Sequence, residues 1–279
     1  ISLMLVEAPD IGATEIRLVT LGGIVTETVA ELGHLSSIVA TDASSTYPAA
    51  VAALPKVGYH RALSAEGILA QRPTLVIATT DAGPPHALHQ LRQAGVPVEV
   101  IPYPEHSVES SMALIQRVGE LLGESQKSVR LTQDIPQRLH SIEQHIEGRP
   151  RPRVLFIYAR GGGTLNVAGQ STGADELIEL AGGTNAIQGI RGYIPLTSEG
   201  VVAAAPEVVF MLSGGHQAMG GDAGVLSLPG MALTPAARQH RIITLDDSLA
   251  LTFGPRLAEG AEALARQLHP EAFRGTSGQ

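Results

Sequence analysis

Short β-branched runs alternate with stretches of helical spacing at both ends of this chain, and one long helical tract lies between them. In the first half, Ile16–Thr20, Ser36–Ala40, Leu75–Ala78 and Pro97–Ile101 read as strands. The segments Ile24–Leu32, the one opening at Ser64, and Ala87–Ala94 read as the helices between them, with Ser64 as a capping residue. From His106 the pattern changes. Met112, Ile115, Val118 and Leu121 recur at three- and four-residue steps, and a second helix is expected from about Ser125 to Ile146 on the sparse apolar positions Val129, Ile135, Leu139 and Ile142. Pro136 is expected to kink or interrupt it. If continuous, it is about 33 Å long at about 1.5 Å per residue. The alternation then resumes: strand Val154–Tyr158, loop Gly161-Gly162-Gly163, helix Asp175–Leu180 and strand Val208–Leu212. A loop over Ser213-Gly214-Gly215-His216, strand Ile242–Leu245 and a last helix Pro255–Leu268 complete it. Strands alternating with helices predict an α/β chain with parallel sheets. The expected division is a lobe over 1–123, a connecting helix over 124–148 and a second lobe over 149–279.

One stretch repeats. Gly58-Tyr59-His60-Arg61-Ala62-Leu63-Ser64-Ala65-Glu66-Gly67 has a weaker copy 134 residues on, Gly192-Tyr193-Ile194-Pro195-Leu196-Thr197-Ser198-Glu199-Gly200. Each is followed by an apolar helix, a proline and a β-branched run, as in Pro73-Thr74-Leu75-Val76-Ile77 and Pro206-Glu207-Val208-Val209-Phe210. Two lobes of similar design with a site between them follow from that repeat. Tyr59 has two readings. It is a turn tyrosine whose hydroxyl finds a backbone partner, or it is an oxygen ligand for a hard ferric ion, since phenolate is a known haem-iron ligand. A ferric ion and the guanidinium of Arg61 both favour the phenolate. Glu66 and Glu199 open their helices at the favourable end of the dipole, worth a few tenths to about 1 kcal/mol, and their matched placement in both halves invites a second role.

Composition narrows the classes. A chain of 279 residues with 44% hydrophobic content buries a substantial core in one or two domains. The net charge of −8, with no basic block, argues against nucleic acid or an anionic membrane as partner. Cysteine is absent, which excludes disulfides and thiolate chemistry. There is no phosphate loop or His-Glu-x-x-His, so a binding protein is expected and not an enzyme.

The Tyr59 run, preceded by Tyr47-Pro48 and Leu54-Pro55, resembles the periplasmic haem-binding proteins of bacterial haem-uptake ABC transporters. Asp81-Ala82-Gly83-Pro84-Pro85, Gly161-Gly162-Gly163-Thr164 and Ala181-Gly182-Gly183-Thr184-Asn185-Ala186 are similar to theirs as well, and the likeness runs in order over about residues 15 to 268. It implies two βα lobes joined by a single long interlobe helix, with haem in the cleft. Tyr59 would be the axial iron ligand, Arg61 would polarise the phenolate or contact the haem, and His60 would touch the porphyrin edge. Glu66 and Glu199 would meet arginines of a membrane permease, fixing orientation more than adding affinity. Tyr158 and Arg160 sit at a strand end, where open α/β sheets place ligands. Relatives that take two stacked haems are expected to use a histidine near this point; Arg160 suits a propionate instead. Tyr193 would line the cleft, and His216 is a further candidate there. The resemblance also implies a periplasmic monomer whose leader has been removed. Two rivals stand beside it: a ferric siderophore or corrinoid as cargo, which needs no protein tyrosine on the metal, and a haem-modifying enzyme, which needs a base such as His60.

Overall fold

The computed structural model of the protein describes residues 16–103, 106–159 and 165–274. The first half runs β1 (Leu18–Leu21), α1 (Gly23–Val29), β2 (Ile38–Thr41), the short strands β3 (Gly58–Tyr59) and β4 (Ala62–Leu63), α2 (Ala65–Leu69), β5 (Leu75–Thr79), α3 (Pro85–Gln93) and β6 (Val98–Ile101). Its sheet has the order β2-β1-β5-β6, and every pairing is parallel. All four residues of β1 are buried, as a strand covered on both faces by helices requires. Gly22, at φ 106°, makes the turn from β1 into α1 that a Cβ would resist. Two expectations shift here. The helix opening at Ser64 is only five residues long, and Ser64 stands at its cap position without bonding the backbone. In the second copy of the repeat, the Thr197 hydroxyl does accept from the Gly200 N–H at 3.1 Å.

Two helices follow: α4 (Val108–Leu121) and α5 (Ser125–Ile146). They approach so closely that a side chain at Gly119 would overlap Ser128. The expected interruption at Pro136 does not occur, and α5 passes through it. Pro136 lies on the exposed face, while Ser128, Thr132, Ile135 and Ile142 are buried on the other. Packing of that buried face against α4 and the C-terminal helix carries the chain across the missing backbone donor. Val129, read from the sequence as an apolar contact, is 41% exposed.

The second half runs β7 (Arg153–Tyr158), β8 (Asn166–Ala168), α6 (Gly173–Leu180), β9 (Thr184–Asn185), β10 (Tyr193–Pro195), α7 (Ser198–Ala204), β11 (Val208–Leu212), α8 (Ser213–Ala218), α9 (Gly221–Leu226), α10 (Pro235–Gln239), β12 (Ile242–Leu245), α11 (Asp247–Leu251) and α12 (Leu257–Leu268). Its six-stranded sheet has the order β10-β8-β7-β11-β12, with β9 added beside β7. The β7, β9, β11 and β12 pairings are parallel, whereas β8 and β10 form an antiparallel edge that periodicity had not revealed. Ser213–His216, expected as a loop, is the opening of α8. Its glycines serve contact instead of flexibility. A Cβ on Gly215 would lie 2.6 Å from the Ala159 carbonyl oxygen, and the Gly214 N–H donates to Asp247 at 3.1 Å.

The fold is thus α/β, two lobes joined by one long helix. A single apolar cluster crosses from lobe to lobe through Ile24, Ile115, Ile135, Ile142, Phe156, Phe253 and Leu264. Separate clusters under α2–α3 and under α7–α10 cover the outer faces. Among the described residues no helix is long and apolar enough to cross a membrane.

Candidate functional site

Tyr59 sits on a two-residue hairpin. Gly58 pairs with Leu63 and Tyr59 with Ala62, so His60 and Arg61 form the tip. Gly58 adopts φ 104°, which glycine alone takes readily. The hairpin is pinned from both sides: the Ala43 N–H donates to the Gly58 carbonyl at 2.7 Å, the Leu63 N–H to Gly83 at 2.9 Å, and the Gly83 N–H to His60 at 2.8 Å. It therefore stands on the loops that follow β2 and β5, at the carboxyl ends of the parallel strands. Tyr59 is 39% exposed and its hydroxyl has no hydrogen-bond partner among the described residues. The backbone-satisfied turn tyrosine is not what the fold has built.

Behind Tyr59, His60 acts as a strut. Its ring centroid lies 4.4 Å from that of Tyr59, and its Nδ1 is 3.2 Å from Ser44 Oγ and 3.4 Å from Asp42 Oδ2. Asp42 is fully buried and accepts from the Gly22 N–H at 2.9 Å, the Ser44 N–H at 2.8 Å, the Ser45 hydroxyl at 2.6 Å and the Ser44 hydroxyl. Burial alone would raise its pKa, but hydrogen bonds from His60, Ser44, Ser45 and Gly22 outweigh it and hold the carboxyl far below the usual carboxylate range. The carboxyl is thus ionised at neutral pH, and His60 is tied to it through Nδ1.

Arg61 donates to Asp81 at 2.6 Å. That bond first, then the nearby phenols of Tyr59 and Tyr158, hold its guanidinium above the usual arginine value against the opposing effect of burial. One guanidinium therefore feels a tyrosine from each lobe. Tyr158 ends β7, and its ring lies 5.7 Å from that of Tyr193 on β10. Tyr193 keeps 46% of its surface accessible, yet the surrounding walls push its phenol up to about 12, with Tyr158 adding to the rise. Arg160 lies outside the described residues. His216 is turned to Asp222, its Nε2 2.7 Å from Oδ1, and among the described residues no hydrogen bond or ring contact joins it to Tyr59, Tyr158 or Tyr193. Glu66 and Glu199 are exposed in the first turns of α2 and α7 and make no ion pair among the described residues.

Sequence reasoning missed three contributors. Asp81 had been noted only as part of a motif. His106 packs edge-on to Tyr103 at 5.3 Å and Phe253 at 5.9 Å; burial lowers its pKa, Asp81 raises it and Arg61 lowers it. A lone histidine beginning a helix gives no sign of that position. The third is Glu27, 229 residues from its partner Arg256. A hollow of about 370 Å³ between the lobes brings His106 and Ser107 opposite Gln170, Ser171, Thr172 and Arg191. A larger one, about 450 Å³, lies at the far end of α5 against Arg149 and Arg151 and contains none of the candidate residues.

Among the described residues no three histidines, aspartates or glutamates converge as metal ligands.

Residues 18–249 match the family model described as periplasmic binding protein. The chain belongs to that family. Among solved structures it is similar to the periplasmic heme-binding protein RhuT from Roseiflexus sp. RS-1 in apo form, at 40% identity over 92% of this chain and 99% of that one, with a TM-score of 0.88. It is also similar to the periplasmic heme-binding protein BhuT in complex with two hemes, at 41% identity over 92% and 98%, with a TM-score of 0.85. Curated relatives are more distant. The uncharacterized ABC transporter substrate-binding lipoprotein YvrC of Bacillus subtilis is 25% identical over 92% of this chain and 81% of its own. The vitamin B12-binding protein of Photorhabdus laumondii is 24% identical over 92% and 89%. This periplasmic binding protein is accordingly a substrate-binding protein and not an enzyme, and its two-lobe α/β architecture is that of the family.

Proposed function

We propose that this protein captures ferric haem in the cleft between its lobes and delivers it to an inner-membrane ABC importer. The observation that carries the reading is Tyr59: an exposed phenol with an unused hydroxyl, on a pinned hairpin, beside Arg61. In this reading Tyr59 is the axial ligand, and Arg61, steadied by Asp81, favours its phenolate. His60 holds the Tyr59 ring from behind, while Tyr158 and Tyr193 face the porphyrin from the other lobe. Arg160 and His216 are taken as secondary cleft contacts. Most of the affinity would come from burying the porphyrin faces, with the iron–oxygen bond fixing orientation. Aromatic residues are only 3% of the chain, so aliphatic side chains supply most of that wall. The lobes are drawn at 1–123 and 149–279, with 124–148 as the helix between them. The protein would work as a monomer in the periplasm, its Glu66 and Glu199 meeting cationic groups on the two halves of the permease. One carboxylate per lobe reports that both lobes are in place.

A second reading keeps the fold and changes the cargo to a corrinoid or ferric siderophore, and the vitamin B12-binding relatives favour it. Those ligands arrive with the metal already coordinated and leave Tyr59 without a task. Titration with ferric haem separates the two, using the absorption spectrum of the wild type beside Tyr59→Phe. A high-spin tyrosinate-type spectrum that is lost in the variant supports the haem reading. Saturation at one equivalent means one haem; saturation at two equivalents assigns the second to the Tyr158 side. No haem band in the wild type sinks the haem reading and brings the second one forward.

A further inference from the structure

We propose that Arg191, with Ser107 and Gln170, forms an anion subsite at one end of the cleft and takes the propionate carboxylates of the bound haem. The inference rests on the haem reading above. Haem carries two carboxylates into a chain of net charge −8, so the cleft must supply cations locally. Arg61 already has a strong claim on it, because Asp81 lies 2.6 Å away. Arg191 is exposed and makes no hydrogen bond or ion pair with any described residue. By contrast, Arg151, Arg153, Arg241 and Arg256 in the same lobe all bond to backbone or carboxylates.

The backbone under Arg191 is held firmly. The Gln170 N–H donates to Ile190 at 2.7 Å and the Gly192 N–H returns to Gln170 at 2.9 Å, which fixes Arg191 two residues ahead of Tyr193. The approximately 370 Å³ hollow places it opposite Ser107 of the other lobe. Both neighbours have donors to spare. The Gln170 Oε1 accepts from the Gly189 N–H at 3.2 Å and the Ser107 oxygen accepts from the Ser110 N–H at 3.2 Å; among the described residues neither the Gln170 amide N–H groups nor the Ser107 O–H donates to a partner. The two carboxylates on this hollow are already occupied. Asp175 accepts from the Ser171 N–H and from Asn185 Nδ2, each at 2.9 Å, and Glu176 has an interaction of its own. His106 on the wall of the hollow lies within electrostatic reach of Asp81 and Arg61, the pair beside Tyr59. An arginine fork with two neutral donors matches a carboxylate pair in chemistry and geometry.

The test compares ferric haem with its dimethyl ester, which keeps iron and ring but neutralises both propionates. Wild type should bind haem more tightly than the ester. Arg191→Gln should retain the tyrosinate-type spectrum and lose roughly tenfold to a hundredfold in haem affinity, the range of a charge-assisted hydrogen bond. It should bind the ester as wild type does, so the preference collapses. If haem binds the variant as tightly as wild type, or if the ester is discriminated equally by both, the subsite is refuted. The haem reading fails differently, by the absence of an iron-bound spectrum in wild type, and the subsite falls with it. Unfolding curves for wild type and variant, expected to coincide because Arg191 is exposed, exclude a folding defect.

Discussion

Replacing Arg256 by methionine should destabilise the protein strongly at neutral pH and hardly at all near pH 5. Glu27 lies on α1 in one lobe and is 1% exposed. Arg256, just ahead of α12 in the other, grips it twice, Nε to Oε2 at 3.1 Å and NH2 to Oε1 at 2.8 Å. The guanidinium also bonds Ser248 at 2.9 Å and lies 3.4 Å from the Tyr47 ring centroid. Burial raises the Glu27 pKa above its ordinary 4.5, and the opposing bonds from Arg256 and Thr252 do not fully offset it. A raised folded-state pKa means that the contribution of Glu27 to stability is complete below pH 4.5 and is lost as pH rises through the folded value. Without the guanidinium that loss continues to higher pH. Its ceiling is the cost of keeping Glu27 protonated, about 1.4 kcal/mol for each pH unit above 4.5, or roughly 3.4 kcal/mol at pH 7. At pH 5 the same ceiling is about 0.7 kcal/mol. Methionine preserves much of the contact with Tyr47, so most of the measured difference should be electrostatic. Urea or thermal unfolding at the two pH values reads it; about 3 kcal/mol corresponds to a fall in Tm of roughly 6–12 °C for a chain of this size. Equal losses at pH 5 and pH 7 would refute the reasoning and assign the effect to lost packing.

Pro136→Ala should raise stability by about 1–2 kcal/mol, because alanine restores a backbone donor inside α5 at an exposed position while giving back some unfolded-state entropy. A lower Tm would mean that Pro136 contributes something that exposure and helix geometry do not reveal. Glu66→Lys combined with Glu199→Lys should leave haem titrations unchanged and abolish stimulation of ATP hydrolysis by the reconstituted importer. Undiminished stimulation would dismiss the docking role.

The long elements were legible because they are buried in a regular pattern. Val208–Leu212, Ile242–Leu245 and Ser125–Ile146 appear at the bounds their hydrophobic periods predict. The short strands β8, β9 and β10, of two or three residues each, owe their existence to partners distant in sequence and leave no period to find. Ser213–His216 misled for another reason. Its glycines signal flexibility in sequence, but Gly215 is required where α8 crosses Ala159, and Gly214 lies against Asp247. Of the candidate site, the Tyr59 hairpin and its weaker copy at Tyr193 were readable as a repeat. The carboxylates that organise the site, Asp42 behind His60 and Asp81 beside Arg61, act through space and carry no signature of their own.

The lobes are joined in a way that bears on how a ligand would be taken. In a chain with a single flexible hinge, closing the cleft costs ordering free energy that binding must supply. Here α5 packs on both halves, one apolar cluster passes between them, and the Glu27–Arg256 pair with Tyr47 locks the opposite side of the interface. Opening would have to separate a buried carboxylate from its arginine. The walls bearing Tyr59 and Tyr158 are therefore expected to keep a nearly fixed separation, and scattering profiles of apo and haem-loaded protein that differ grossly would refute it. A rigid planar ligand suits such a slot, and selectivity then rests on what its edges present to the two lobes. The role proposed for Arg191 would give such a slot the means to tell a ring with two carboxylates from one without them.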